Sequence, residues 1–309
     1  SDFQQSFGVR DIGGALGRLR VRHTFRFNNL SIGGCQLTHS GGYQYRCSFA
    51  GAVTLTGAAT FNANLDHTTA WLALDGPVTD NGYGFTKTGP GTLALNRAND
   101  IRGDVFLGNL TATKAAPDAT SAGNAGIVLL GDGSAFGTAR ITERGTQFRA
   151  AVPGLTIPNN ITVTNGGFRF GGTNDLTFAG KITLIGLARD LGNYSVNRTL
   201  TVTDVELNGQ DLTCEGIASA PTNGRTVIRG RISNVSATSG KVFAKSAFCN
   251  GLLVLSGSNA YATATVIEPA AALQIGDGGT TGSLNPASDI QNSGTLYFNR
   301  SDTITQGVD

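Results

Sequence analysis

Apolar and polar residues alternate with a period of two along most of the chain, in short bursts rich in Val, Ile, Thr, Leu and Phe. AVTLTGAATF (52–61), GTLALN (91–96), NITVTNGGFRF (160–170), TLTVTDVELNG (199–209) and GTLYFNR (294–300) carry the pattern. That period places alternate side chains on opposite sides of a strand. No long run repeats apolar residues at i, i+3, i+4 and i+7, so helices are not predicted. Gly-Gly, Asn-Gly, Asp-Gly and Pro turns separate the bursts at short, even spacing. The pattern predicts an all-β chain.

The bursts also recur as ordered landmarks. FAGAVTLTG (49–57) returns as FAGKITLIG (178–186), and FTKTGPGTLALNRAN (85–99) returns as FAKSAFCNGLLVLSGSN (243–259). LLGDGSAFG (129–137) returns as LQIGDGGTTG (273–282), and RITERGTQFR (140–149) as DIQNSGTLYFNR (289–300). The offsets are 129, 158, about 145 and 149 residues. Fixed order with variable spacing is what a solenoid permits, because each coil contacts only its neighbours and loops can grow on one side. Outward positions are Thr, Asn and Ser and seldom charged, which favours stacked polar ladders over the wet face of a sandwich. The expectation is a parallel β-helix of about 14 coils and about 65 Å, at about 4.8 Å per coil. Two related halves, 49–150 and 178–300, would form it, with residues 1–48 a separate Arg-bearing cap. In KTGPGTLALNRAN (87–99), Gly89, Pro90 and Gly91 should turn the chain, Leu93 and Leu95 enter the core, and Asn96 and Asn99 shape the next corner.

The landmarks F-x-K-T-G-x-G-T-L-x-L-x-x-A-N (85–99), the Gly-Asp-Gly loops (131–133, 276–279) and N-x-G-T-L-x-F-N-R-S-D (292–302) resemble the autotransporter-associated β-strand repeat. The likeness covers roughly 49–309 and is weaker over the first 48 residues. It implies a right-handed parallel β-helix of the kind found in bacterial autotransporter passengers and large surface proteins, hence a secreted, extracellular or cell-surface setting. The copy at 243–259 reads SAFCNGLL where GPGTL is expected, which predicts a local bulge there.

Composition narrows the function. Charged residues are 14% of 309, against about 25% in an average domain, and the formal net charge is +2. That balance gives no general electrostatic case for nucleic acid. No apolar run reaches the length of a membrane-spanning helix, and the missing Met and leader suggest a processed or excised chain.

Candidate chemistry is sparse. GRLRVRHTFRF (17–27) alternates so that Arg18, Arg20, Arg22 and Arg26 share one side of a strand and Leu19, Val21, His23, Phe25 and Phe27 the other. It reads as a solvated edge strand or as a contact for an anionic polysaccharide, lipid head groups or a neighbouring subunit. Cys35 and Cys47 flank a Gly-Gly turn and Cys214 could pair with Cys249. The four are read as two disulfides or as small buried residues, and no CxxC suggests zinc. His23, His39 and His67 lack metal-ligand spacing. The acidic pairs Asp75/Asp80, Asp100/Asp104 and Asp204/Glu206 are the nearest approach to the two carboxylates of a glycosidase, and all sit where turns or solvated faces use acids anyway. The Gly-Pro-Gly turn lacks the Gly-Lys-Ser/Thr and helix of a phosphate loop. Two Gly-Asp-Gly loops are too few for a calcium β-roll. No cofactor or metal is expected. The reading is a non-enzymatic structural protein of the surface or of a filament, its copies stacking head to tail through an uncapped end. The alternatives are a polysaccharide-binding adhesin and a carbohydrate-active β-helix enzyme.

Overall fold

The computed structural model describes residues 24–40, 45–64, 71–108, 126–164, 166–186, 190–216, 224–234, 239–245 and 251–303. Within them every secondary-structure element is a short strand, and every strand pairing is parallel. The chain is a parallel β-helix with three faces. The first face is a twelve-stranded sheet that begins at Thr24–Phe27 and passes through Arg46–Phe49, Trp71–Leu74, Thr92–Leu95 and Ile127–Leu130. It continues through Gln147–Ala150, Gly167–Gly171, Asp190–Asn193, Leu212–Gly216, Val242–Ala244 and Thr265–Ile267 to Ile290–Asn292. The second face has a three-stranded sheet, Leu30–Ile32, Val53–Leu55 and Val78–Thr79, and a seven-stranded one from Leu155–Ile157 to Thr295–Phe298. The third is nine-stranded, from Gln36–Ser40 to Ile232–Ser233. Twelve strands stacked about 4.8 Å apart make a rod about 53 Å long, shorter than expected. The coils are longer than 22 residues on average: strands of the first face begin 20 to 35 residues apart.

Inward residues stack in register. Phe49, Leu74, Leu95, Leu130 and Ala150 form one column of the first face, all buried. Phe148, Phe168 and Phe178 meet in mid-rod with ring centroids 4.9 to 5.2 Å apart, and burial of each ring contributes about 2–3 kcal/mol. Outward, Thr142, Thr162 and Thr183 form a ladder on the third face, as do Thr156, Thr177 and Thr201 on the second. β-branched residues suit a pleated, half-covered surface.

The corners are fastened by side chains that replace missing ladder bonds. Asn99 accepts from Val78 N–H at 2.8 Å and donates to Ala135 O at 2.7 Å. Asn259 accepts from Ile232 N–H at 3.0 Å and donates to Ser283 O at 2.9 Å. Gly76 stacks so closely on Gly51 that a Cβ would lie 1.9 Å from the Gly51 carbonyl oxygen, and Gly257 on Gly230 would bring it to 1.7 Å. Gly89 turns the 89–91 corner at φ 80°, and Leu93 and Leu95 are buried as expected. The long alternating runs cross corners: AVTLTGAATF spans Val53–Leu55 and part of Ala59–Asn64, on two different faces.

The recurring landmarks keep their order but not their face. Phe49 ends a first-face strand and Val53–Leu55 lies on the second face, whereas Phe178 ends a second-face strand and Ile182–Ile185 lies on the third. Phe85–Thr88 and Thr92–Leu95 run from third face to first; Val242–Ala244 and Leu252–Leu255 run from first to second. Likewise Ile141–Glu143 and Gln147–Ala150 pass from third to first, but Ile290–Asn292 and Thr295–Phe298 from first to second. The second half is therefore advanced by one face. At 243–245 the pleat is inverted as well. Phe85 and Lys87 point inward and are buried, whereas their counterparts Phe243 and Lys245 lie outward, with Val242 and Ala244 in the core. A one-residue slip exchanges the two sides of a strand. The expected bulge falls on residues 246–250, outside the described residues.

Candidate functional site on the outer side of the first face

Two clusters stand on the outer side of the first face. The nearer one is a groove of about 650 Å³ lined by Thr24, Arg26, Arg46, Ser48, Ala50, Asp75, Asn96 and Arg97. These residues are far apart in sequence and are brought together by stacking: Thr24 pairs with Arg46 and Arg26 with Ser48 across adjacent coils. Arg46 Nη2 donates to both oxygens of Asp75, at 2.6 and 2.8 Å. Ser48 Oγ also donates to Asp75, and Asn96 Nδ2 does so at 2.5 Å. Desolvation pushes the Asp75 carboxyl up, but these donors and the Arg46 charge outweigh it and hold it below its ordinary value. Arg46 also lies 5.5 Å above the Trp71 ring. Its Nε is buried with no acceptor among the described residues. Arg26 and Arg97 are exposed.

The second cluster lies further along the same side. Tyr194 Oη donates to Glu215 Oε1 at 3.0 Å, and the Arg169 guanidinium sits 5.7 Å above the Tyr194 ring. Lys245 lies 5.7 Å from the Phe243 ring. Arg169 and Tyr194 are buried, at 4% and 8% exposure. Desolvation, with the charge of Asp190, pushes the Glu215 carboxyl up. Burial and the neighbouring Glu215 push the Tyr194 phenol up.

Two buried ionisable groups were not singled out by the sequence. Lys87 has no solvent exposure; its Nζ donates to the carbonyls of Thr88 at 3.2 Å and Gly89 at 2.6 Å. Burial pulls its ammonium down to about 7. Glu143, also fully buried, accepts from Thr146 N–H at 3.0 Å, and burial pushes it up to about 8. Lys87 is the penultimate residue of Phe85–Thr88 and Glu143 the last of Ile141–Glu143, both third-face strands, with Leu107 between them in one column. A lysine within alternating apolar residues was the available signal.

Of the predicted site residues, Arg18, Arg20 and Arg22 lie outside the described residues, as do His23, His67 and Cys249. Arg26 is on the first strand and lines the groove. Its cationic neighbours there are Arg46 and Arg97, from other coils. The expected Cys35–Cys47 bridge is not formed: both are free thiols, Cys35 exposed in a turn and Cys47 half-buried in the inward column between Phe25 and Leu72. Cys35 stands just before the third-face strand Gln36–Ser40, and Cys47 lies in the first-face strand Arg46–Phe49 of the next coil. Cys214 is buried in the core. His39 is half-buried, pulled down by desolvation, with Nε2 3.4 Å from Tyr45 O.

Most members of the acidic pairs hold donors of their own. Asp80 is a corner acceptor for four backbone N–H groups, those of Gly82, Gly84, Arg102 and Gly103, at 2.8 to 3.0 Å. Desolvation opposes this carboxylate, yet the four donors hold it below its ordinary value. Asp100 pairs with Arg102. Asp204 accepts from Arg231 N–H at 2.7 Å, and Glu206 from Ser233 Oγ at 2.6 Å. Among the described residues no three His, Cys, Asp or Glu side chains are grouped to hold a metal ion, and no helix is long and apolar enough to cross a membrane.

Fold and faces define the class, a three-faced parallel β-helix. No family model, curated protein or solved structure matches the chain.

Proposed function

We propose that this is a non-enzymatic structural β-helical protein of the extracellular surface, a rod that assembles end to end into filaments. The observation that carries the reading is the use of its acids: Asp80 and Asp204 are spent on backbone N–H groups at corners, where they hold one coil to the next. Aromatic rungs at both ends of the described rod support the assembly. Phe25 and Phe27 are 40% exposed, and Phe298, which continues the column of the buried Ile275, is 55% exposed. A heterologous contact between such ends repeats without closing. The likeness to the autotransporter repeat supports the surface setting. Electron microscopy and light scattering over a wide concentration range test the assembly. Rods lengthening with concentration are expected, and shortening on Phe298→Asp. Monomers at every concentration would overturn it.

One observation favours a second reading, a carbohydrate-active enzyme. Arg169, Asp190, Glu215 and Lys245 share the outer side of one face, and burial and the charge of Asp190 push Glu215 up. Release of reducing ends from acidic or neutral polysaccharides, abolished in Glu215→Gln, would establish it; unchanged polymers would leave the rod.

A further inference from the structure

The first-face groove is an uncommon use of charge in this chain. Outward rungs of the second and third faces are mostly Thr, Asn or Ser, and the whole molecule carries a formal net charge of only +2. Yet the groove gathers three guanidinium groups, Arg26, Arg46 and Arg97, around a single carboxylate. Asp75 neutralises one of them and also takes hydrogen bonds from Ser48 and Asn96. That arrangement fixes Arg46: a planar guanidinium held by Asp75 on one edge and laid over Trp71 loses little freedom when it meets a ligand. Arg26 and Arg97 stay exposed on either side.

The direction of the groove adds to this. Arg26 belongs to the first strand of the first face, Arg46 to the second, and Arg97 follows the fourth. The three arginines are therefore rooted along the rod axis at multiples of the strand separation of about 4.8 Å, with Arg97 Nε reaching back to the Asp75 carbonyl oxygen at 3.4 Å. A linear polymer with charges at regular intervals, laid along that axis, would meet all three. Thr24 and Asn96 are neutral polar groups in the same lining, of the kind that pairs with hydroxyls.

We infer that this groove binds a linear acidic polysaccharide lying along the first face, with Arg26, Arg46 and Arg97 as the contacts and Asp75 as the residue that positions Arg46. The groove shares its end strand, Thr24–Phe27, with the assembly rung of Phe25 and Phe27, but polymer binding and rod length are separate readouts, so the two can fail independently.

The test is binding of the full chain to polygalacturonate, to dextran sulfate and to uncharged dextran, by calorimetry at several salt concentrations. The carboxylate and sulfate polymers separate the two acidic chemistries. Binding to at least one of them, weakening steeply with salt, and none to uncharged dextran is expected. Arg26→Ser combined with Arg97→Ser should weaken binding at least tenfold. Both side chains are exposed, so the fold should persist, and an unchanged circular dichroism melt checks it. Arg229→Ser with Arg231→Ser, elsewhere on the rod, should leave binding unchanged. Asp75→Asn should also weaken binding although it adds net positive charge, an outcome that simple charge attraction does not give. No binding to either acidic polymer, equal loss in both double variants, or equal affinity for duplex DNA would overturn the inference.

Discussion

The Nζ of Lys87 lies 2.6 Å from the carbonyl oxygen of Gly89, inside a core that excludes solvent. The lysine of the FTKTGPG landmark thus fastens the corner from within, binding carbonyls that the turn would otherwise leave without a ladder partner. Its pull toward pH 7 has a calculable sign. The unfolded chain holds this proton up to about 10.5 and the folded chain releases it near 7. Stability should rise with pH between these values, because the unfolded state then binds more protons. In Lys87→Met this slope should vanish from urea-unfolding midpoints measured over that window, at a cost of about 2 kcal/mol from the lost carbonyl partner.

Glu143 has the opposite slope. Its folded value, about 8, exceeds the unfolded one, near 4.5. The stability it permits is complete below about 4.5 and is lost as pH rises toward 8. Glu143→Gln keeps an acceptor for Thr146 N–H without the proton requirement. At pH 7 it should gain about 3 kcal/mol, at 1.36 kcal/mol per unit, and show no gain at pH 4. Equal stability at both pH values would show that the carboxyl is not held protonated.

Asp80→Asn should be among the most damaging corner substitutions. Asparagine offers one acceptor oxygen where the carboxylate receives four N–H groups, and the loss should be about 3 kcal/mol. The native contribution is present above the unfolded value of about 3.8 and disappears as pH falls through the lower folded value. Acid-unfolding curves of the two proteins should converge at the acid end.

Gly76→Ala and Gly257→Ala test coil stacking. Each methyl would sit within 2 Å of a carbonyl oxygen on the adjacent coil, so the backbones must part. A loss of about 3 kcal/mol or more is expected. Gly154→Ala, which meets no atom within 4 Å but has φ 69°, should cost only about 1 kcal/mol.

Thiol chemistry separates the cysteines. With both thiols free, Cys35 should react quickly with a disulfide reagent in the native protein. Cys47, half-buried and pushed up to about 11 by desolvation, should react far more slowly. Failure of both to react until a reductant is added would mean that they are bridged.

Much of this architecture is legible in the sequence because strand and corner are written in local chemistry. Leu93 and Leu95 alternate inward, Gly89 needs a positive φ, and Asn99 has the two-sided amide a corner requires. The groove was not legible. Arg26, Arg46 and Arg97 are neighbours through parallel stacking across coils of unequal length, so no sequence spacing links them. The arginine alternation at 18–26 links Arg26 only to neighbours along its own strand. Cys35 and Cys47 misled for a similar reason. Two cysteines flanking a Gly-Gly suggest a bridge, whereas the strands beside them, Gln36–Ser40 and Arg46–Phe49, lie on the third face of one coil and the first face of the next.

The one-face advance between the halves has a consequence for evolution and for engineering. A strand with its corner is the smallest unit that can be copied, and three such units complete a circuit. Duplication by whole circuits would print the same stripe twice on one side of the rod. Duplication with an extra third of a circuit turns the copy about the axis, like a screw thread offset from its slot. Residues that meet a partner in one half are then aimed in another direction in the next, and the valency of such a rod around its axis is set by where the copy was cut.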